Sequence, residues 1–225
     1  ITLEENNFLL SEFKLDDNVG SEYFVNWYEN NILNKNFKNN YDLYYYPLKN
    51  KNLLTVSVNK KLKNKLIKQC SDIGYNLIYF SIGIFSASTL IRQMYKKEDF
   101  LVWKIDKNNY HHLLYYKDNI LQTYCKMKKS PKKINEIMLI GENNNNLNNL
   151  LHSILIDKKY FDKVPNIYLY QTGNSSKLIK EIESYDFKNI NIVDISILFD
   201  LDKIQSKLKS MKYIENGISF RGIDV

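Results

Sequence analysis

Between Phe100 and Met127 the chain reads FLVWKIDKNNYHHLLYYKDNILQTYCKM, and this stretch limits the fold more than any other. Three apolar runs, Phe100–Asp106, Tyr110–Tyr116 and Ile120–Met127, are cut by the polar turns Lys107-Asn108-Asn109 and Lys117-Asp118-Asn119. Aromatic and β-branched runs broken by Asn and Asp predict antiparallel hairpins, here a three-stranded meander. A meander alone cannot bury both of its faces, so the helices before and after it are expected to cover one side.

The flanking pattern alternates strand and helix. Strands are predicted at Ile1–Leu3 and Phe8–Phe13. Ser21 caps a helix whose Phe24, Trp27, Tyr28 and Ile32 share one face, read as core packing. Asn34–Asn40 reads as a polar loop and Tyr41–Leu48 as a strand closed by Pro47. Leu53–Val58 is a further strand. Asn59 then caps a helix to Ile73, and Gly74 is its natural stop. Strand Leu77–Ile82 and helix Phe85–Tyr95 lead into the meander. After the break at Ser130-Pro131 come strand Glu136–Ile140, a Gly141-Glu142 turn, a helix carrying Leu147, Leu150, Leu151, Ile154 and Leu155 on one face, and strand Asn166–Tyr170. A helix from Ser175 or Ser176 to about Tyr185, strand Ile190–Val193, a helical turn capped by Asp194 and a helix from Asp200 or Asp202 to Met211 complete the order. This alternation predicts an α/β fold. Residues 1–52 are read as one part and 53–225 as the second.

Composition narrows the chemistry. The net charge is +7, but Lys is spread along the whole chain and Arg stands only at Arg92 and Arg221. Base-reading surfaces favour Arg, so no nucleic-acid partner is expected. The triple Tyr44-Tyr45-Tyr46 could stack bases, yet packing of a half-buried strand is the simpler reading. Cys70 and Cys125 form no CxxC pair, and no zinc site is expected. His111 and His112 are adjacent in a strand and point to opposite faces, so they do not chelate one ion. His152 is read as a boundary residue. Asp99, Asp106 and Asp118 make no defensible carboxylate pair. No P-loop, GxGxxG or GxSxG is present. The lysines at 126, 128, 129, 132 and 133 read as a solvated run that would also suit an acidic partner or lipid.

Four passages, in this order, resemble the actin-like ATPase fold of the type IV pilus assembly protein PilM and its secretion-system relatives. LLTVSVNK at Leu53–Lys60 leads through a helix to DIGYNLIYFSIGIFSA. FLVWKIDKNNYHHLLYYKDN lies where that family has its second phosphate hairpin. EIMLIGENNNNLNNLLHSIL lies where it has its adenosine loop and helix, and the tail YIENGISFRGIDV is similar to its closing helix. The resemblance implies mixed, ribonuclease H-like sheets with flanking helices, in a reduced version.

It also implies where a nucleotide cleft would lie, and the residues there depart from the family. Lys104 stands at the family's Asp and Asp106 at its Gly, with Asn108 in the turn. Glu142 follows Gly141 where the family has two glycines. A lysine can meet phosphate but cannot ligate Mg²⁺, and the Asp106 charge would face the phosphate tail. The first phosphate loop is not visible; it lies upstream of Ile1 or has been lost. Lys104, Asp106, Asn108, Gly141 and Glu142 are therefore read as vestiges of a cleft, with no cofactor, no metal and no catalytic residue. The expected protein is a pseudo-ATPase scaffold, cytoplasmic and peripheral at the inner membrane. By the same resemblance it binds a bitopic inner-membrane protein of the assembly platform, touches the membrane only indirectly and has scope for self-association. The alternatives are a working ATPase of the same fold with its first phosphate loop upstream, and a basic nucleic-acid binder.

Overall fold

The computed structural model describes residues 2–15, 21–31, 33–49, 52–77, 79–95, 99–130, 133–142, 147–158, 166–172, 176–185, 190–192 and 223–224. The expected turn at Asp194, the helix to Met211 and most of the tail lie outside them.

The meander is present as β6 (Phe100–Ile105), β7 (Tyr110–Lys117) and β8 (Ile120–Lys129). Its turns are made by the residue types that tolerate a left-handed backbone. Asp118 and Asn119 have φ of 52° and 62°, and Asn109 has 59°. β6 is also parallel to β10 (Asn166–Gln171), which is parallel to β11 (Ile190–Ile192). β9 (Ile134–Gly141) pairs antiparallel with β8, giving the order β11-β10-β6-β7-β8-β9.

Both faces of this sheet are covered, more than the expected one. Strand side chains alternate, so Phe100 and Val102 face one core with Tyr168 and Tyr170. Ile84, Ala87 and Ile91 of α4 (Gly83–Tyr95) close that side. Leu101, Trp103 and Ile105 face the other core. Leu147, Leu150 and Leu151 of α5 (Leu147–His152), and Ile179 and Ile182 of α6 (Ser176–Glu183), close it. β6 is thus buried along its whole length, which explains an apolar run rather than an alternating one.

A second sheet has the order β2-β4-β3, with β2 at Phe8–Phe13, β3 at Tyr41–Pro47 and β4 at Leu53–Asn59. β4 is its central strand, so this sheet draws on residues from both sides of position 52. A third, small sheet holds β1 (Thr2–Leu3), β5 (Tyr79–Ile82) and β12 (Ile223–Asp224).

Helix α3 (Lys60–Asp72) starts where the Asn59 side chain accepts from the amides of Lys61 and Leu62. It ends in a Schellman turn: Tyr75 N–H donates to Cys70 O and Gly74 N–H to Ser71 O, with Gly74 at φ +82°. Two expectations are corrected. Asn34–Asn40 is not a loop: Asn34 accepts from Asn36 N–H at 2.8 Å and starts a short helix, α2 (Lys35–Asn40). The aromatic face of α1 (Ser21–Asn31) is divided: Tyr28 meets Phe13 edge-on at 4.4 Å, whereas Trp27 is 43% exposed. Tryptophan one residue before Tyr28 is rotated about 100° around the helix, and Phe13 of the β2-β4-β3 sheet packs on the Tyr28 side.

Candidate functional site

Lys104 lies near the carboxyl end of the otherwise apolar β6, on the face that carries Phe100 and Val102. It is fully buried. A lysine ammonium removed from water needs a carboxylate and hydrogen bonds. Glu5 supplies them from the single 3-10 turn Glu5–Asn7: Lys104 Nζ donates to Glu5 Oε2 at 2.8 Å and to Oε1 at 3.1 Å. The same Glu5 Oε1 accepts from Ile84 N–H at 2.9 Å, so the carboxylate also caps the first turn of α4. Burial pushes the Glu5 carboxyl upward, but the Lys104 ammonium and His112 outweigh it and hold its pKa below the ordinary range.

Asp106 follows Lys104 at the end of β6. Its Oδ1 accepts from Asn108 N–H at 2.8 Å and Tyr110 N–H at 2.9 Å, an Asx arrangement that shapes the hairpin. Its Oδ2 lies 3.3 Å from His112 Nε2. Burial raises this carboxyl too, and the hydrogen bonds from His112 and the two amides bring it below its usual value. His112 Nδ1 lies 2.9 Å from Tyr124 Oη, and burial first, then the nearby Glu5 charge, drives that phenol well above its usual pKa. Glu5, Lys104, Asp106, His112 and Tyr124 thus form one internal polar cluster. His111 points the other way, accepting from Trp103 Nε1 at 3.1 Å through Nδ1. Burial, then the charges of Lys129 and His112, pull its pKa down to about 4.

The five cleft positions do not converge. Lys104, Asp106 and Asn108 sit at the carboxyl end of β6. Gly141 and Glu142 sit at the far end of the sheet, because Gly141 pairs with Thr123, Thr123 with Tyr115 and Tyr115 with Leu101. Gly141 N–H donates to Glu12 Oε2 at 3.1 Å, and Glu142 pairs with Lys49 at 3.7 Å. The segment that leaves a parallel strand beside Asp106 is instead Gln171-Thr172, where Thr172 N–H donates to Ile105 O at 2.9 Å. Sequence reasoning took Gly141, the last residue of β9, because EIMLIGENNNNLNNLLHSIL resembles the family's adenosine loop and helix. It passed over Gln171-Thr172, at the end of the strand parallel to β6.

Lys104 and Asp106 also point elsewhere than expected. Lys104 meets the chain's own carboxylate rather than a phosphate, and Asp106 turns into its hairpin and His112 rather than towards a phosphate tail. An Mg²⁺–triphosphate does not fit these residues. The buried Lys104 ammonium is neutralised, the amide of Ile84 in the first turn of α4 already holds a carboxylate, and both Asp106 oxygens have partners. Glu5 was missed in the sequence. The available signal was Lys104 itself, since a lysine inside FLVWKI must find an acid.

The remaining candidates take structural places. Lys126 Nζ and Lys128 Nζ lie 4.6 and 4.9 Å from the Tyr110 ring centre, and Lys126 donates to Asn6. His152 lies 3.3 Å from Asp157. Asp99 accepts from Asp118 N–H at 2.8 Å. Cys125 is buried, and burial pushes its thiol up to about 12. Among the described residues no group of three or more His, Cys, Asp or Glu could hold a metal ion, and no helix is long and apolar enough to cross a membrane.

No protein-family model and no curated protein matches the chain. Among solved structures it is similar to the cytoplasmic domain of EpsL, an inner-membrane component of the type II secretion system of Vibrio cholerae. The TM-score is 0.38 and the identity 8%, over 83% of this chain and 74% of that one.

Proposed function

We propose that the chain is a non-catalytic, actin-like scaffold of a type IV pilus or related secretion-type assembly platform. It stands at the cytoplasmic face of the inner membrane and binds a short cytoplasmic segment of an inner-membrane protein. The observation that carries the non-catalytic part is the Lys104–Glu5 pair. In a nucleotide enzyme of this architecture the end of β6 and the first turn of a nearby helix are the places to receive phosphate. Here a side-chain carboxylate from residue 5 satisfies both the lysine and the helix amide. An anion site filled from within has no charge left to offer a triphosphate.

The actin-like part is supported by strand order. Three antiparallel strands, β6, β7 and β8, carry β9 antiparallel beside β8, and β10 and β11 are added parallel on the β6 side. This order supports the ribonuclease H-like arrangement that the sequence resemblance implies. The partner is inferred from the same resemblance.

Calorimetric titration with Mg-ATP tests the reading. No heat of binding up to millimolar nucleotide is expected; a micromolar dissociation constant overturns the non-catalytic assignment and favours the ATPase alternative.

A further inference from the structure

We propose that the outer edge of β3 takes up an acidic, extended segment of a partner protein as a fourth strand of the β2-β4-β3 sheet. The inference rests on the scaffold reading and adds to it a surface and a chemistry.

β3 is the terminal strand of its sheet. It pairs with β4 in unbroken register from Tyr41↔Asn59 to Pro47↔Leu53, and no described strand lies on its other side. Such an edge presents a row of main-chain N–H and C=O groups to any extended chain. Natural edges are guarded by bulges, prolines or inward charges; β3 has no bulge, and its proline stands at the last position.

A cavity of about 390 Å³ opens along this edge. It is lined by four consecutive residues of β3, 41–44, and by Glu29, Lys38, Lys60 and Lys63. Neighbouring strand residues point to opposite faces, so a cavity touching all four wraps around the strand edge instead of lying on one face. α3 walls one side, through Lys60 and Lys63 to Asp42. α1 walls the other, where Tyr45 Oη donates to Glu29 at 2.8 Å.

Charge selects the occupant. Asp42 is shared between Lys60 at 3.6 Å and Lys63 at 3.0 Å. Lys38 Nζ donates to the neutral Asn30 side chain at 3.2 Å, and Glu29 is engaged by Tyr45. Three ammonium groups, Lys38, Lys60 and Lys63, therefore share the cavity with two carboxylates, Asp42 and Glu29, an excess of one positive charge. An acidic segment gains there and a basic one is repelled. Main-chain pairing would supply affinity, and the lysine-lined wall specificity, as in other strand-addition complexes.

Selection of displayed random twelve-residue peptides on the intact chain tests this. Recovered peptides should be rich in Asp or Glu among β-branched residues. They should slow amide exchange within Tyr41–Tyr46, and lose at least tenfold in affinity on Lys60→Glu and again on N-methylation of alternate peptide amides. N-methylation blocks pairing without altering the protein, so a misfolded variant cannot mimic the result. Neutral or basic winners, protection elsewhere, or indifference to N-methylation overturns the proposal. The outcome is separable from the scaffold reading: tight Mg-ATP binding would end that reading, whereas failure of acidic peptides at β3 with no ATP binding would end only this one.

Discussion

Lys104 and Lys63 each pair with one carboxylate at nearly the same distance, 2.8 Å to Glu5 and 3.0 Å to Asp42. Their surroundings differ. The Lys104 and Glu5 side chains are 0% and 4% exposed, whereas Lys63 and Asp42 are 18% and 30% exposed. In the first pair neither charge can fall back on water, so each holds the other and nothing further can enter. In the second, water screens the attraction and the groups remain open to exchange partners. The same ammonium–carboxylate pairing thus closes one part of the molecule and leaves another receptive, and burial makes the difference.

The largest expected effect follows from breaking the closed pair. Lys104→Met leaves a buried carboxylate without its partner and should cost about 3–5 kcal/mol in urea denaturation. Glu5→Leu combined with Lys104→Met should recover part of that, short of about 1 kcal/mol for the lost cap on α4. A single-variant loss no greater than that of an exposed pair would break the comparison.

Acid titration sharpens it with a buried group that has no carboxylate partner. The His111 pKa of about 4 lies below the ordinary 6.5. The unfolded chain therefore binds the extra proton first, and stability present above pH 6.5 should fall as pH drops towards 4. The loss is about 3 kcal/mol at most. His111→Gln should flatten that window. It should leave a steeper fall below it, where Glu5 and Asp106, both held low, finally protonate.

Glycine substitutions compare a packed turn with an open one. At Gly141, φ is +83° and an added Cβ would meet the main-chain carbonyl of Gln122. Gly141→Ala should therefore cost more than the ~1–2 kcal/mol of left-handed backbone alone. Gly74, at φ +82° with nothing near its Cβ position, should show only that cost. Equal thermal shifts in the two variants would contradict the close packing of β9 against β8. The smallest effect belongs to the receptive pair: Lys63→Met should change stability by about 0–1 kcal/mol.

Much of the fold was legible because it is local. Hairpin turns announced themselves through Asn and Asp, and Asn59 and Gly74 marked both ends of α3. The short helix after Asn34 was missed because a run of Asn and Lys has no apolar period to read; its cap bond and the stack of Phe37 on Tyr41 hold it instead. The candidate site was legible only in part. Lys104 and Asp106 were found from their place in the meander. Their partners were not, since Glu5 is 99 residues away from Lys104 and no spacing rule joins them. The pairing of Gly141 with Thr123 likewise becomes visible only once β9 is seen at the sheet edge.

The central claim is that Lys104 is spent on Glu5. Nitrogen-15 NMR of the lysine ammonium groups during titration with Mg-ATP tests it most directly. The account predicts a slowly exchanging Lys104 signal that stays unmoved at millimolar nucleotide and vanishes in Lys104→Met. A Lys104 signal that shifts and saturates at micromolar nucleotide would contradict it.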